Sequence, residues 1–141
     1  MMNKIQPVSF SIESLNISQE KGTVKQPVAE VMVTDRGISA DAHAGVWHRQ
    51  ISLLAAENIE AFARTLNRRF TWGEFAENIT TRGIDLNRVA VLDRFRIGTV
   101  ELEVTQIGKA CHHGCAVFQE VGACIMPTDG IFARVISPGR L

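Results

Sequence analysis

Alternating apolar and polar positions run through most of the chain and predict a protein built mainly of strands. The segments VSFSIESLNIS, PVAEVMVT, RVAVLDRFRIG, TVELEVTQIG and GIFARVIS are rich in β-branched and aromatic residues and are bounded by Gly, Pro, Asp or Asn. The stretch RFRIGTVELEV specifies a register as well as a strand pair. A two-residue turn at Gly98 and Thr99 sets Ile97 opposite Val100, Arg96 opposite Glu101 and Arg94 opposite Glu103. Phe95, Ile97, Val100, Leu102 and Val104 then share the face expected to join a core, and the four charges share a solvated face.

One segment departs from the alternation. In SLLAAENIEAFARTLNRR, residues Ala55, Ile59, Phe62, Ala63 and Leu66 recur at helical spacing. Ser52 is the expected N-cap, and Arg64, Arg68 and Arg69 sit toward the end where the helix dipole favours cations. AVFQEVGA is expected to form a second, short helix. Most connections between strands are too short for crossover helices. The expected fold is therefore mainly β with α, a barrel-like, largely antiparallel sheet with one or two packed helices. No repeat, low-complexity tract or linker divides the 141 residues, so a single domain over 1–141 is expected.

Composition narrows the function by exclusion. Lys and Arg number 15 and Asp and Glu 15, so no overall field gathers nucleic acid or anionic membrane, and neither is expected as a partner. No apolar run approaches the length of a membrane span, and MMNKIQPVSFSIESLNIS lacks the apolar centre of a signal peptide; a cytoplasmic location is expected. The chain has 3 cysteines, an odd number and too sparse for a disulfide scaffold, so reduced thiols are expected. No glycine-rich phosphate loop of the Walker or dinucleotide type is present.

Polar residues that strand propensity does not explain gather in three places. ADAHAGVWHRQ carries Asp41, His43, His48 and Arg49 between a strand and the helix, where loop side chains can be aimed by rigid neighbours. FAENITTRGIDL carries Glu77, Asn78, Thr80 and Thr81. QIGKACHHGCAVF carries Lys109, Cys111, His112, His113 and Cys115 directly after a strand. If these three segments adjoin one sheet, they form one pocket. Arg49 suits an anion, because guanidinium grips phosphate at two points. Glu77 and Asn78 alternatively close a turn.

The cysteines admit three readings. Cys111 and Cys115 with His112 and His113, joined by Cys124 and by His43 or His48, form a zinc site only if the usual paired spacing is relaxed, which disfavours it. Cys111 as a working thiol fits better, since Lys109 and the two histidines favour its thiolate for sulfur transfer or for coordinating a soft metal. Cys124, in GACIMP, reads as a small buried hydrophobe.

In that order and over most of the chain, ADAHAGVWHRQISLLAAENIE, FAENITTRGIDL and RFRIGTVELEVTQIGKACHHGCAVFQEVGACIMPTDGIFARVI resemble the small stand-alone MOSC domain proteins, relatives of the C-terminal domain of molybdenum cofactor sulfurase. The resemblance implies a β-barrel-like fold and a pocket for a molybdenum cofactor (molybdopterin), a pterin dithiolene bearing a phosphate. It puts the sulfur-carrying or molybdenum-coordinating cysteine at Cys111 and makes Cys115 part of the CHHGC form of the short subgroup. Asp41, His43, His48 and Arg49, with Glu77, Asn78 and Thr80, and with Lys109, His112, His113 and Cys115, would then line the pocket, Arg49 toward the cofactor phosphate. Glycine is usual in the family where this chain has Ala40, which bears on any positive φ there. Larger relatives hold the pterin with an additional N-terminal domain; here a partner or a second copy in a homo-oligomer is expected to complete the binding. The leading expectation is a protein that binds the cofactor or carries sulfur for it, with a sulfur donor or acceptor protein as partner. The alternatives are a non-catalytic delivery module and a zinc-stabilised structural domain.

Overall fold

The chain runs through β1 (Ser11–Ile17), β2 (Gln26–Val28), β3 (Met32–Thr34), β4 (Gly37–Ile38), β5 (Ile51–Ala55), α1 (Ala56–Leu66) and β6 (Ile79–Arg82). It continues through β7 (Arg94–Ile97), β8 (Val100–Ile107), α2 (Met126–Asp129), β9 (Ile131–Ser137) and β10 (Gly139–Arg140). The structure, a computed structural model, describes residues 8–109 and 124–141. The expected helix in AVFQEVGA lies outside them.

Seven strands form one sheet in the order β2-β1-β6-β5-β9-β8-β7, and β10-β3-β4 form a second. All the ladders are antiparallel except that between β5 and β6, which are parallel and joined through α1. The sequence expectation of a mainly β, largely antiparallel fold with few helices holds. Among the described residues β2 and β7 are the edges of the large sheet. Phe10, just before β1, meets Phe95 of β7 edge to face at 5.5 Å, so the sheet curls back toward its own start.

β5 explains why the core lies where it does. Its sequence ISLLA is buried at every position, as expected of a strand covered on both faces. Ile51, Leu53 and Ala55 point into the larger core with Val33, Ile38, Ile79, Leu102 and Val104. Leu54 points to the other side, into a smaller cluster with Ile59, Phe75, Met126 and Phe132. The helix α1 packs Ile59 and Phe62 onto this second cluster, and Phe62, Phe70 and Phe75 meet with centroids 5.0 to 5.9 Å apart.

The hairpin β7–β8 has the expected register, Arg94 with Glu103, Phe95 with Leu102, Arg96 with Glu101 and Ile97 with Val100. Two expectations are corrected. Ser52 does not cap the helix: α1 begins at Ala56 behind Ala55, with no side-chain cap, and Ser52 lies within β5. PVAEVMVT is not one strand but parts of β2 and β3 separated by a turn, which carries the chain from the large sheet to the small one.

Candidate functional site

The loop from Asp41 to Gln50 is fixed by its own polar groups. Asp41 Oδ1 accepts from the Ser18 amide at 3.0 Å and from Lys25 Nζ at 2.8 Å, while Oδ2 accepts from the His43 amide at 2.9 Å. Gln50 donates to the carbonyls of Asp35 and Gly45 and accepts from the Val135 amide, so the loop is tied at both ends. Within it, Trp47 Nε1 donates to the His43 carbonyl at 2.8 Å. Ala40, at the loop's entrance, takes φ +70 without being glycine.

The second polar segment is held from inside. Glu77 is fully buried; its carboxylate accepts from the Gly73 amide at 2.9 Å, the Thr80 hydroxyl at 2.8 Å and the Phe75 amide at 3.2 Å. Burial pushes its carboxyl above the usual range, against those donors. Asn78 Oδ1 accepts from the Ser52 amide and hydroxyl, and its Nδ2 donates to the Asn16 carbonyl at 3.1 Å. These bonds tie β1, β5 and the start of β6 together.

The third segment leaves β8 at Gly108, whose φ is +66 and whose amide donates to the Gly130 carbonyl at 2.8 Å. A Cβ on Gly108 would lie 2.4 Å from the Pro127 carbonyl oxygen, so only glycine lets the chain pass this close to α2. The Lys109 amide then donates to that same carbonyl at 3.1 Å.

These arrangements converge on a cavity of about 320 Å³ lined by His43, Trp47 and Arg49 from the first segment, Phe75 and Ala76 from the second, and Lys109 from the third. Lys21, Ser52, Cys124, Met126 and Phe132 complete much of the wall. The volume is at the lower end for small-molecule sites, roughly 300–1,000 Å³. Its cations are Lys21, Arg49 and Lys109. The Arg49 guanidinium lies 4.8 Å from the Trp47 ring centroid and 5.6 Å from that of Phe132, and its Nε is buried with no hydrogen-bond partner among the described residues. A buried, unpaired guanidinium N–H is costly by about 1–3 kcal/mol and is the kind of group an incoming acceptor satisfies.

His43 lines the wall with Nδ1 3.8 Å from Asp41 Oδ2, beyond hydrogen-bond range and buried without a partner among the described residues. Burial, and then the charges of Lys25 and Lys109, against the opposing Asp41 and Asn78, pull its pKa down to about 4. The imidazole is therefore neutral near pH 7. For Asp41, burial acts to raise the carboxyl, but the Lys25 hydrogen bond and charge, with the His43 and Ser18 amides, prevail and hold it below the usual carboxylate range.

The residues named from sequence thus separate into two groups. His43, Arg49 and Lys109 line the cavity. Asp41, Glu77, Asn78 and Thr80 stand behind it, their side chains occupied in the bonds that fix the loops. His48 is exposed and pairs its Nε2 with Gln106 Oε1 at 2.8 Å, while its carbonyl accepts from the Thr105 hydroxyl. Cys111, His112, His113 and Cys115 lie outside the described residues. Cys124 is partly buried and lines the cavity. Sequence reasoning missed Lys21, Phe75, Phe132 and Trp47; only Trp47 carried a signal, as the one aromatic within the polar loop. Among the described residues no three His, Cys, Asp or Glu side chains gather to hold a metal ion, and no helix is long and apolar enough to cross a membrane.

The family model described as MOSC domain matches residues 40–141. The fold is similar to that of the YUAD protein from Bacillus subtilis, with a TM-score of 0.77 at 18% identity over 94% of this chain and 90% of that one. It is also similar to YiiM from Geobacillus stearothermophilus, with a TM-score of 0.74 at 23% identity over 94% of this chain and 71% of that one. YiiM from Escherichia coli gives a TM-score of 0.66 at 24% identity, over 96% of this chain and 66% of the other. No curated protein matches the chain significantly.

Proposed function

Since the chain belongs to the MOSC domain family, we propose that it handles molybdenum cofactor, holding the phosphate-bearing pterin in this cavity, with Cys111 carrying sulfur for it or coordinating its molybdenum. The observation that carries the reading is Arg49, a guanidinium within reach of two aromatic rings at a cationic cavity, with a buried N–H that nothing among the described residues accepts. The residues present fit the group: three cations for a phosphate, and Phe75, Trp47 and Phe132 for a planar ring system. When bound, the molybdenum dithiolene supplies the redox and sulfur-exchange chemistry.

The protein's own residues bind and orient. Arg49 offers a two-point grip on phosphate oxygens, and Lys21 and Lys109 add charge at the same cavity. Neutral His43 offers one donor and one acceptor without a further positive charge. Lys109 lies two positions before Cys111, a span of at most about 7 Å of chain. A cation this close along the chain would favour the thiolate over the thiol.

The test is native mass spectrometry, with pterin and molybdenum analysis, of protein purified from a molybdenum-replete host. Wild type is expected to retain pterin. Cys111→Ala is expected to abolish sulfur loading or cofactor retention without changing the melting temperature of the cofactor-free protein, and Arg49→Gln to lose pterin. Unchanged pterin, molybdenum and sulfur in Cys111→Ala removes the role given to that thiol. A persulfide on Cys111, formed when its thiolate takes the outer sulfur of a persulfide donor that leaves as a thiolate, identifies a sulfur carrier; retained pterin without one identifies a delivery module.

A further inference from the structure

Trp47 has cations at two distances that belong together. Lys21 Nζ lies 4.5 Å from its ring centroid and the Arg49 guanidinium carbon 4.8 Å, both within the range of a cation–π contact. Lys21 comes from the turn after β1 and Arg49 from the loop before β5, so no shared element brings the two charges together. Left to themselves, two flexible cations repel and spread into solvent. The indole they share is itself anchored, Nε1 donating to the His43 carbonyl at 2.8 Å.

From this arrangement we infer that Trp47 is a positioning residue for anion binding: its ring holds Lys21 and Arg49 at one cavity, so that a single phosphate-like group meets both. The inference rests on the reading that the cavity takes an anion, and adds the device that preorganises it. Its ligand class is a phosphate or pyrophosphate group. Trp47 need not touch the anion, since its effect passes through the two cations.

The experiment measures inorganic pyrophosphate binding to the full chain by calorimetry at low ionic strength. Wild type is expected to bind. Trp47→Leu is expected to weaken binding about tenfold, and Trp47→Phe, which keeps a π face, to stay within about threefold of wild type. Lys21→Ala is expected to cost affinity in wild type and far less in Trp47→Leu, a non-additivity that a merely structural role for the tryptophan does not produce. Wild-type affinity in Trp47→Leu, or additive losses, overturns the inference. So does loss of binding in folded Trp47→Phe, which assigns the effect to the indole N–H. Should Trp47→Leu not fold, emission decides: in a Trp72→Phe chain the fluorescence belongs to Trp47, and pyrophosphate must change it by neutralising the two cations that the ring holds. Absence of that change overturns the inference. If wild type binds no pyrophosphate, the anion-binding reading itself falls, which is a different result from binding that ignores Trp47.

Discussion

Lys25 donates to Asp41 at 2.8 Å with both side chains sealed from solvent, which makes this the ion pair on which the site's first loop is built. Lys25 also binds the Ser18 hydroxyl at 3.0 Å, and its amide donates to the carbonyl of Gly73, whose own amide binds Glu77, so one residue joins the first loop to the turn that braces the second segment. Removing one partner of such a pair strands a buried charge. Lys25→Met is expected to destabilise the fold by about 3–5 kcal/mol, and the double variant Lys25→Met, Asp41→Asn by less. Urea unfolding measures both; equal stability of Lys25→Met and wild type defeats the argument.

His43 makes stability depend on pH in a defined window. Its folded pKa of about 4 is below the ordinary 6.5, so between these values the unfolded chain binds the proton more readily. Stability from this group is fully present above about pH 6.5 and is lost as pH falls toward 4. The loss is on the order of 2–3 kcal/mol. Asp41 acts with the same sign at lower pH, because its carboxyl is held below 3.8 when folded. Urea midpoints from pH 7 to 4.5 are expected to fall in wild type and to fall less in His43→Gln. Parallel curves would count against the assignment.

Ala40 is exposed and has φ +70, a conformation that costs an L-residue about 1–2 kcal/mol. Glycine relieves that strain but loses more entropy on folding. Ala40→Gly is therefore expected to raise stability by about 0.5–1 kcal/mol, read as an increase in melting temperature. A decrease overturns the expectation and assigns the methyl group a stabilising contact.

Gly108 is the opposite case. The Pro127 oxygen stands 2.4 Å from where a Cβ would be, and φ is +66, so Gly108→Ala must push β8 and α2 apart. A loss of about 2 kcal/mol or more is expected. Because Lys109 bonds to the same carbonyl, anion binding is expected to weaken beyond what the stability loss explains. Calorimetry on the folded fraction reads this directly.

Much of this was legible in the sequence, for local reasons. The β7–β8 register follows from a two-residue turn and strict alternation, and α1 from its apolar spacing. Ser52 was misread because ISLLA is buried on both faces and has no period to separate strand from helix, and because its hydroxyl is used by Asn78, a partner 26 residues away. The site divides in the same way. Arg49 and Lys109 were legible as cations in unusual loops. Asp41 and Glu77 look like site residues in sequence, yet in space they serve as internal braces. Lys21 was invisible because its significance depends on Trp47, which the fold alone brings near.

The ends of the seven-stranded sheet settle how the molecule behaves in a crowd. At one end Pro27 pairs opposite Asn16 and has no N–H to offer a newcomer; at the other, β7 is only four residues long and carries Arg94 and Arg96 within it. A fibril grows by templating strand upon strand, and neither margin is a good template. At these two margins, far from the cavity, modest residue choices work against cross-β growth.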